Sequence, residues 1–332
     1  WPVVGNNGKP YDTYTKPVAV GDNRVKRLPT TDVFRDYPLD MQWEGNHAPR
    51  AKGWTLFERP GWLRLKAVKT ATLPQARNML TQRIFAKDNT YTTGSVRLDV
   101  KGLTEGDRAG ICILQDPFAA IAVEVKDGKH QLVWWQDKVS NAGDSFTPAE
   151  KTLAFDMPAD SVVYLRAAIK YGENKSKFYY SLDNEKWTAL GSETAMSFNL
   201  SVFVGARFGL FCYATQKAGG MADFDWFTTE GSFSEDDYFP AQTTISEEQY
   251  TATKLTPNKT SIDIMTGTWR APIMTAPFQN KHTEIVTDKV EFECETPDVV
   301  EFYNGKMLAV GQGTTKVNAT YTDPLGNKVT TS

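Results

Sequence analysis

Apolar–polar alternation with a two-residue period recurs along this chain, and no window sustains the 3.6-residue period of an amphipathic helix. Leu63-Arg64-Leu65-Lys66-Ala67, Val96-Arg97-Leu98-Asp99-Val100 and Phe178-Tyr179-Tyr180-Ser181-Leu182 each send alternate side chains to opposite faces. Runs 110–114, 120–125, 131–136, 162–169 and 207–213 are further strand candidates. Turn residues punctuate them at Lys101-Gly102, Glu105-Gly106-Asp107, Lys126-Asp127-Gly128, Tyr171-Gly172-Glu173 and Asp183-Asn184. Asp127-Gly128 is a two-residue hairpin signal. Many short strands at close spacing predict an all-β sandwich over residues 31–230.

The flanks differ. Residues 1–30 are rich in Gly, Pro and Asn around one short apolar run, 18–20, and read as a linker or a tail. Residues 231–250 are acidic and rich in Ser and Thr, and read as a connection. From 251 to 332 a second strand pattern starts, with candidates at 261–265, 290–294, 299–303, 307–310 and 316–321. Asn304-Gly305 predicts a type I′ hairpin there, and the pattern predicts a small immunoglobulin-like sandwich.

Composition excludes several function classes. Net charge is −3 without a basic stripe, so no nucleic-acid partner is expected. No apolar run reaches the length of a membrane helix, so no span is expected. Cys112, Cys212 and Cys294 lie far apart in apolar runs without a CxxC pair, which predicts buried free thiols and no zinc site. Nine Trp and thirteen Tyr favour strands, and they also suit sugars, whose flat C–H faces stack on rings. The chain opens on Trp-Pro-Val-Val without Met or a signal-peptide pattern, which reads as a processed or truncated product.

Residues 58–83 (ERPGWLRLKAVKTATLPQARNMLTQR) hold two extended runs, 62–68 and 76–84. Arg77, Asn78, Gln82 and Arg83 concentrate donors of fixed geometry in the second run. Such a strand presents a polar face to a ligand or anchors loops internally, for example with Arg77 paired to Glu58. Arg77, Met79, Thr81 and Arg83 face one way, and Asn78, Leu80, Gln82 and Ile84 the other. Each set mixes polar and apolar groups.

In order along the chain stand WEGNHAP (43–49), WTLFERPGWLRL (54–65), ARNMLTQR (76–83), GDRAG (106–110), FYYSLD (178–183), RFGLF (207–211) and DFDWF (223–227). Through these motifs residues 31–230 resemble the C-terminal concanavalin A-like (jelly-roll) β-sandwich of glycoside hydrolase family 43 β-xylosidases. Trp1-Pro2-Val3-Val4-Gly5 with Gly8-Lys9-Pro10 resembles the end of that family's catalytic propeller. Residues 251–332 are similar to bacterial immunoglobulin-like group 2 domains. The resemblance implies a secreted, periplasmic or cell-surface bacterial protein, whose partners are a xylan-type glycan or an upstream family 43 catalytic domain. It places the catalytic Asp and Glu residues on the propeller, so no catalytic residue is carried over to this chain. Glycoside hydrolysis needs two carboxylates at a defined separation. Glu58, Asp107, Asp144 and Asp225 are available, but their pairing is not readable from sequence.

The expected role is a non-catalytic accessory region that completes the substrate pocket or binds plant glycan. A freestanding carbohydrate-binding module and a structural cell-surface spacer stay open. Candidate contacts to glycan or to a catalytic domain are Trp43, Asn46, His47, Arg77, Asn78, Gln82, Gln115, Phe118 and Trp135, each of which also suits a role inside the scaffold. Trp134 and Trp135 are adjacent on one strand, so one is expected in the core and the other exposed or at an interface. Asp32 and Asp225 are candidate ligands for a structural Ca2+, because related sandwiches hold calcium near their chain ends. No other cofactor is expected.

Overall fold

The computed structural model describes residues 5–6, 8–11, 13, 29–35, 39–47, 52–87, 89–139, 148–232, 247–303 and 306–332. Residues 1–4, the apolar run 18–20, most of the 231–250 connection and the Asn304-Gly305 turn lie outside these. Strands β1 (Gly5–Asn6) and β2 (Lys9–Pro10) pair with each other. The large unit then runs β3 (Glu44–Gly45), β4 (Trp54–Thr55), β5 (Leu63–Lys66), β6 (Val68–Lys69), β7 (Leu80–Arg83), β8 (Thr92–Asp99) and β9 (Asp107–Leu114). It continues through β10 (Phe118–Lys126), β11 (Lys129–Asp137), β12 (Glu150–Met157), β13 (Val162–Lys170), β14 (Lys175–Ser181), β15 (Thr188–Ala189), β16 (Thr194–Ala195), β17 (Arg207–Ala214) and β18 (Met221–Glu230). The described residues contain 3-10 turns but no α-helix.

These strands form two sheets. The first has the order β12-β11-β10-β9-β17-β7-β3, with β6 parallel to β17. The second has the order β15-β14-β13-β8-β18-β5-β4, with β16 beside β14. The Asp127-Gly128 turn closes β10 on β11 with Lys126 opposite Lys129, and both central residues have positive φ. Leu65, Val96, Leu98, Ile111, Ile121, Trp134, Leu165 and Phe224 pack between the sheets as the main core.

The first sheet is also covered on its outer face. Cys112, Phe118, Ala120, Val133, Trp135, Phe211 and Tyr213 form a second apolar cluster, capped by Leu73, Ala76 and Met79 and packed by Val139. The cap follows from a change of sheet. The chain leaves β5 at Lys66, joins the first sheet as β6, makes a 3-10 turn at Leu73–Gln75 over that sheet's outer face and enters β7 of the same sheet. Asn78 sits at this corner, fully buried, and its Nδ2 donates to Lys66 O (2.6 Å) in the second sheet and to Cys212 O (2.6 Å) in the first.

Both Trp134 and Trp135 are therefore fully buried, the first in the main core and the second under the cap. The sequence predicts one of them exposed or at an interface; neither is exposed, because the cap covers the outer face of this part of the first sheet. Gly191, at φ +82°, lies so close to the Trp134 ring that an added Cβ would stand 2.0 Å from it. Cys112 and Cys212 are buried free thiols as expected, while Cys294 is half-buried.

The second unit comprises β19 (Thr256–Pro257), β20 (Trp269–Arg270), β21 (Met274–Pro277), β22 (Thr283–Ile285), β23 (Val290–Cys294), β24 (Val300–Tyr303), β25 (Lys306–Ala309), β26 (Val317–Thr322) and β27 (Lys328–Thr331). They make three three-stranded antiparallel sheets. Residues 261–265 are not a strand, because no neighbour pairs with them. This unit touches the large one around Phe57, whose ring lies 5.9 Å from Tyr250, 5.6 Å from Phe278 and 4.6 Å from His282. Lys289 Nζ reaches Glu58 Oε1 at 3.4 Å.

Asn78→Ala removes the donor from the buried Cys212 carbonyl and the part-buried Lys66 carbonyl and is expected to cost about 1–3 kcal/mol in urea denaturation. Exposed Arg77→Ala serves as the control and should stay within about 0.5 kcal/mol.

Candidate functional site

The nine candidate residues do not converge on one surface. Trp43 is buried against Phe227 (5.2 Å, edge-on). Asn46 is buried, and its Nδ2 donates to Pro74 O (2.9 Å) and Ala76 O (3.1 Å), which anchors the cap. Gln82 is buried, and its Nε2 donates to Thr30 O at 2.8 Å. Buried Gln115 Oε1 accepts from Asp116 N at 2.9 Å. Phe118 and Trp135 belong to the capped cluster, as Asn78 does to the corner beneath it. Only His47 and Arg77 are exposed, and His47 Nε2 is 2.7 Å from Pro74 O. Arg77 does not pair with Glu58, which is bound instead by Lys66 (2.6 Å), Lys289 and Arg64.

Asp32 and Asp225 carry partners of their own. Asp32 Oδ1 accepts from Phe34 N (2.7 Å) and its Oδ2 from Trp43 Nε1 (2.8 Å). Asp225 Oδ2 accepts from Arg97 Nη1 at 2.6 Å. These donors engage both oxygens of Asp32 and one oxygen of Asp225. Asp107 is buried at the start of β9, and its Oδ2 accepts from Thr104 N (2.7 Å) and Thr104 Oγ1 (2.8 Å). Burial pushes its carboxyl up. Asp144 lies outside the described residues.

A surface that the sequence reading left unassigned lies between β16 and β17. Leu200 (73%) and Phe203 (76%) are highly exposed, and Phe198 and Val204 are exposed beside them. The loop carrying them is fastened through its polar atoms. Asn199 caps the 3-10 turn Leu200–Val202 by accepting from Ser201 N at 3.1 Å. Ser201 Oγ donates to Asp116 Oδ2 at 2.5 Å, and Asp116 Oδ1 accepts from Val139 N at 3.0 Å. Backbone held this way points four large apolar groups outward, which marks an interaction surface. The available signal was the run Phe198-Asn199-Leu200-Ser201-Val202-Phe203-Val204, apolar enough for a strand yet followed directly by the strand 207–213.

The capped face ends in a polar cluster. Glu124 is buried between Arg108 (3.0 Å) and Lys151, and Arg108 Nη1 also meets Tyr213 OH at 3.4 Å. Burial alone would raise the Glu124 carboxyl. The hydrogen bond from Lys151 and the charge and hydrogen bond of Arg108 outweigh it and hold the group below its ordinary value.

Two facing sheets of this order, with no α-helix among the described residues, are consistent with a concanavalin A-like β-sandwich. The beta xylosidase C-terminal concanavalin A-like domain family matches residues 31–230, and the chain belongs to that family. A β-xylosidase of Formosa agariphila is 31% identical over 261 residues, which cover 69% of this chain and 40% of the relative. A putative β-xylosidase of Xylanibacter ruminicola is 30% identical, covering 59% of this chain and 34% of the relative. A solved structure described as a bifunctional GH43-CE protein of Bacteroides eggerthii shares 36% identity and a TM-score of 0.53, over 61% of this chain and 26% of the other. An engineered GH43 glycoside hydrolase with endo-xylanase and exo-arabinofuranosidase activity shares 30% identity and a TM-score of 0.53, over 65% and 44%. This chain thus spans less than half the length of each of these proteins. Among the described residues, no helix is long and apolar enough to cross a membrane.

The Glu124 shift sets a pH dependence. Its folded value lies below the ordinary 4.5, so its contribution is present above that value and lost as the pH falls through the folded one. Thermal denaturation should show Tm falling on acidification below about pH 4.5, with a shallower fall in Glu124→Gln.

Proposed function

We propose that this chain is the non-catalytic accessory region of a family 43-type glycoside hydrolase of the β-xylosidase or arabinofuranosidase type. It seats against the catalytic domain and completes a pocket for xylan-type glycan. The observation that carries this reading is the fastened loop with Phe198, Leu200, Phe203 and Val204 exposed. Apolar area of this kind is stabilised when a partner removes it from water. The coverage of the relatives supports the same reading, because the matched region is only part of proteins named as β-xylosidases. In this reading the protein acts outside the cytoplasm, a location compatible with relatives named as glycoside hydrolases. The second unit is an immunoglobulin-like spacer, a reading supported by its antiparallel pairs β23/β26 and β26/β27 over a core with Met274, Ala319 and Tyr321.

The test joins this chain to a family 43 catalytic domain and assays an aryl xyloside. Phe203→Ala is expected to lower kcat/KM by about tenfold or more, with Tm unchanged. An unaltered kcat/KM in both Phe203→Ala and Leu200→Ala would overturn the reading.

A further inference from the structure

The second sheet's outer face is built differently from the capped face of the first. On it Tyr164 lies opposite Arg97, and Arg166 lies opposite both Ser95 and Tyr179. The pairing of β18 with β8 slips between Phe224 and Phe227. Consequently two consecutive residues, Asp225 and Trp226, meet the same face. Asp225 binds Arg97 at 2.6 Å, and the Trp226 ring lies 6.1 Å from that of Tyr164. A bulge of this kind re-aims a side chain that regular pleating would send into the core.

The rings on this face are half-buried, not covered: Trp62, Tyr164, Tyr179, Trp187 and Trp226. Two carry guanidinium groups over the ring, Trp62 with Arg59 at 3.7 Å and Arg97 at 5.2 Å, and Trp187 with Arg166 at 3.9 Å. Most of the positive charge is matched. Arg59 binds Asp99 (2.7 Å) and Asp223 (2.8 Å), and Arg64 also binds Asp223 (2.7 Å). Strands lie about 4.8 Å apart, so the run from β14 through β13, β8 and β18 to β5 spans roughly 19 Å. That length suits an oligomer better than a single small molecule.

The chemistry selects among occupants. A polyanion needs a run of unmatched cations, and here Arg59, Arg64 and Arg97 are committed to carboxylates while Arg166 donates to Ser95 Oγ at 2.8 Å and lies over Trp187. An apolar peptide needs continuous apolar area, and ion pairs interrupt it here. A neutral sugar chain needs flat rings for its C–H faces and fixed polar groups for its hydroxyls, and both are present. We propose that the outer face of the second sheet, centred on Tyr164, Trp226 and Trp187, is a binding platform for a neutral oligosaccharide. This platform lies on a different part of the sandwich from the loop bearing Phe203 and stands whether or not that loop meets a catalytic domain.

Calorimetric titration of the 332-residue chain with xylohexaose and cellohexaose tests it, with polygalacturonate as the acidic comparison. At least one neutral hexasaccharide should bind, with an affinity insensitive to salt. Trp226→Ala and Trp187→Ala should each weaken binding about tenfold, while Phe203→Ala leaves it unchanged. Trp187 sits at the sheet edge, so its variant keeps the test decisive if Trp226→Ala lowers Tm. Binding of neither neutral probe, preference for polygalacturonate, or full affinity in Trp187→Ala would overturn the proposal. Loss of binding in Phe203→Ala alone would place the glycan at the loop and overturn it equally.

Discussion

One side-chain amide joins the two sheets where the chain changes from one to the other. Asn78 donates to Lys66 O and Cys212 O, and these carbonyls belong to opposite layers. Buried carbonyls need donors, and at a corner the regular ladder cannot supply them. Without this amide, the crossing from β5 to β6 would leave polar backbone inside apolar packing. The cap depends on the same corner, since Leu73, Ala76 and Met79 are the residues that the crossing carries over the first sheet. Asn46 fastens the cap from the other side through Pro74 O and Ala76 O.

Much of the strand pattern was legible in the sequence. The alternating runs at 63–67, 96–100 and 178–182 fall on β5, β8 and β14, and Asp127-Gly128 makes the predicted turn. What the sequence could not show was burial on both sides of the first sheet. Phe118–Lys126 reads FAAIAVEVK, an almost continuous apolar run, and its two faces enter different clusters. Donor-rich residues looked like surface contacts because local sequence does not reveal where a donor's acceptor lies. For Asn46, Asn78 and Gln82 the acceptors are carbonyls 12 to 134 positions away.

The candidate surfaces were hidden for complementary reasons. At 198–204 the apolar run suggests burial, but hydrogen bonds through Asn199 and Ser201 hold it outside. On the second sheet, the outward placement of both Asp225 and Trp226 depends on a register slip that no two-residue period anticipates. Both surfaces arise where regular pleating or regular burial gives way, and both belong to a large unit that the second unit touches at Phe57 and Glu58.

The cap also bears on the order in which the molecule assembles. β9, β10, β11 and β17 form a sheet whose outer face includes Phe118, Trp135 and Phe211, all drawn from distant positions in the chain. The cap segment precedes these strands in sequence but can dock only on a platform that they complete. Until β17 is in place, the part of that platform made by Phe211 and Tyr213 is missing. In a chain whose β17 is absent or detached, apolar area that the cap and β17 would jointly bury is left bare, and such area favours self-association.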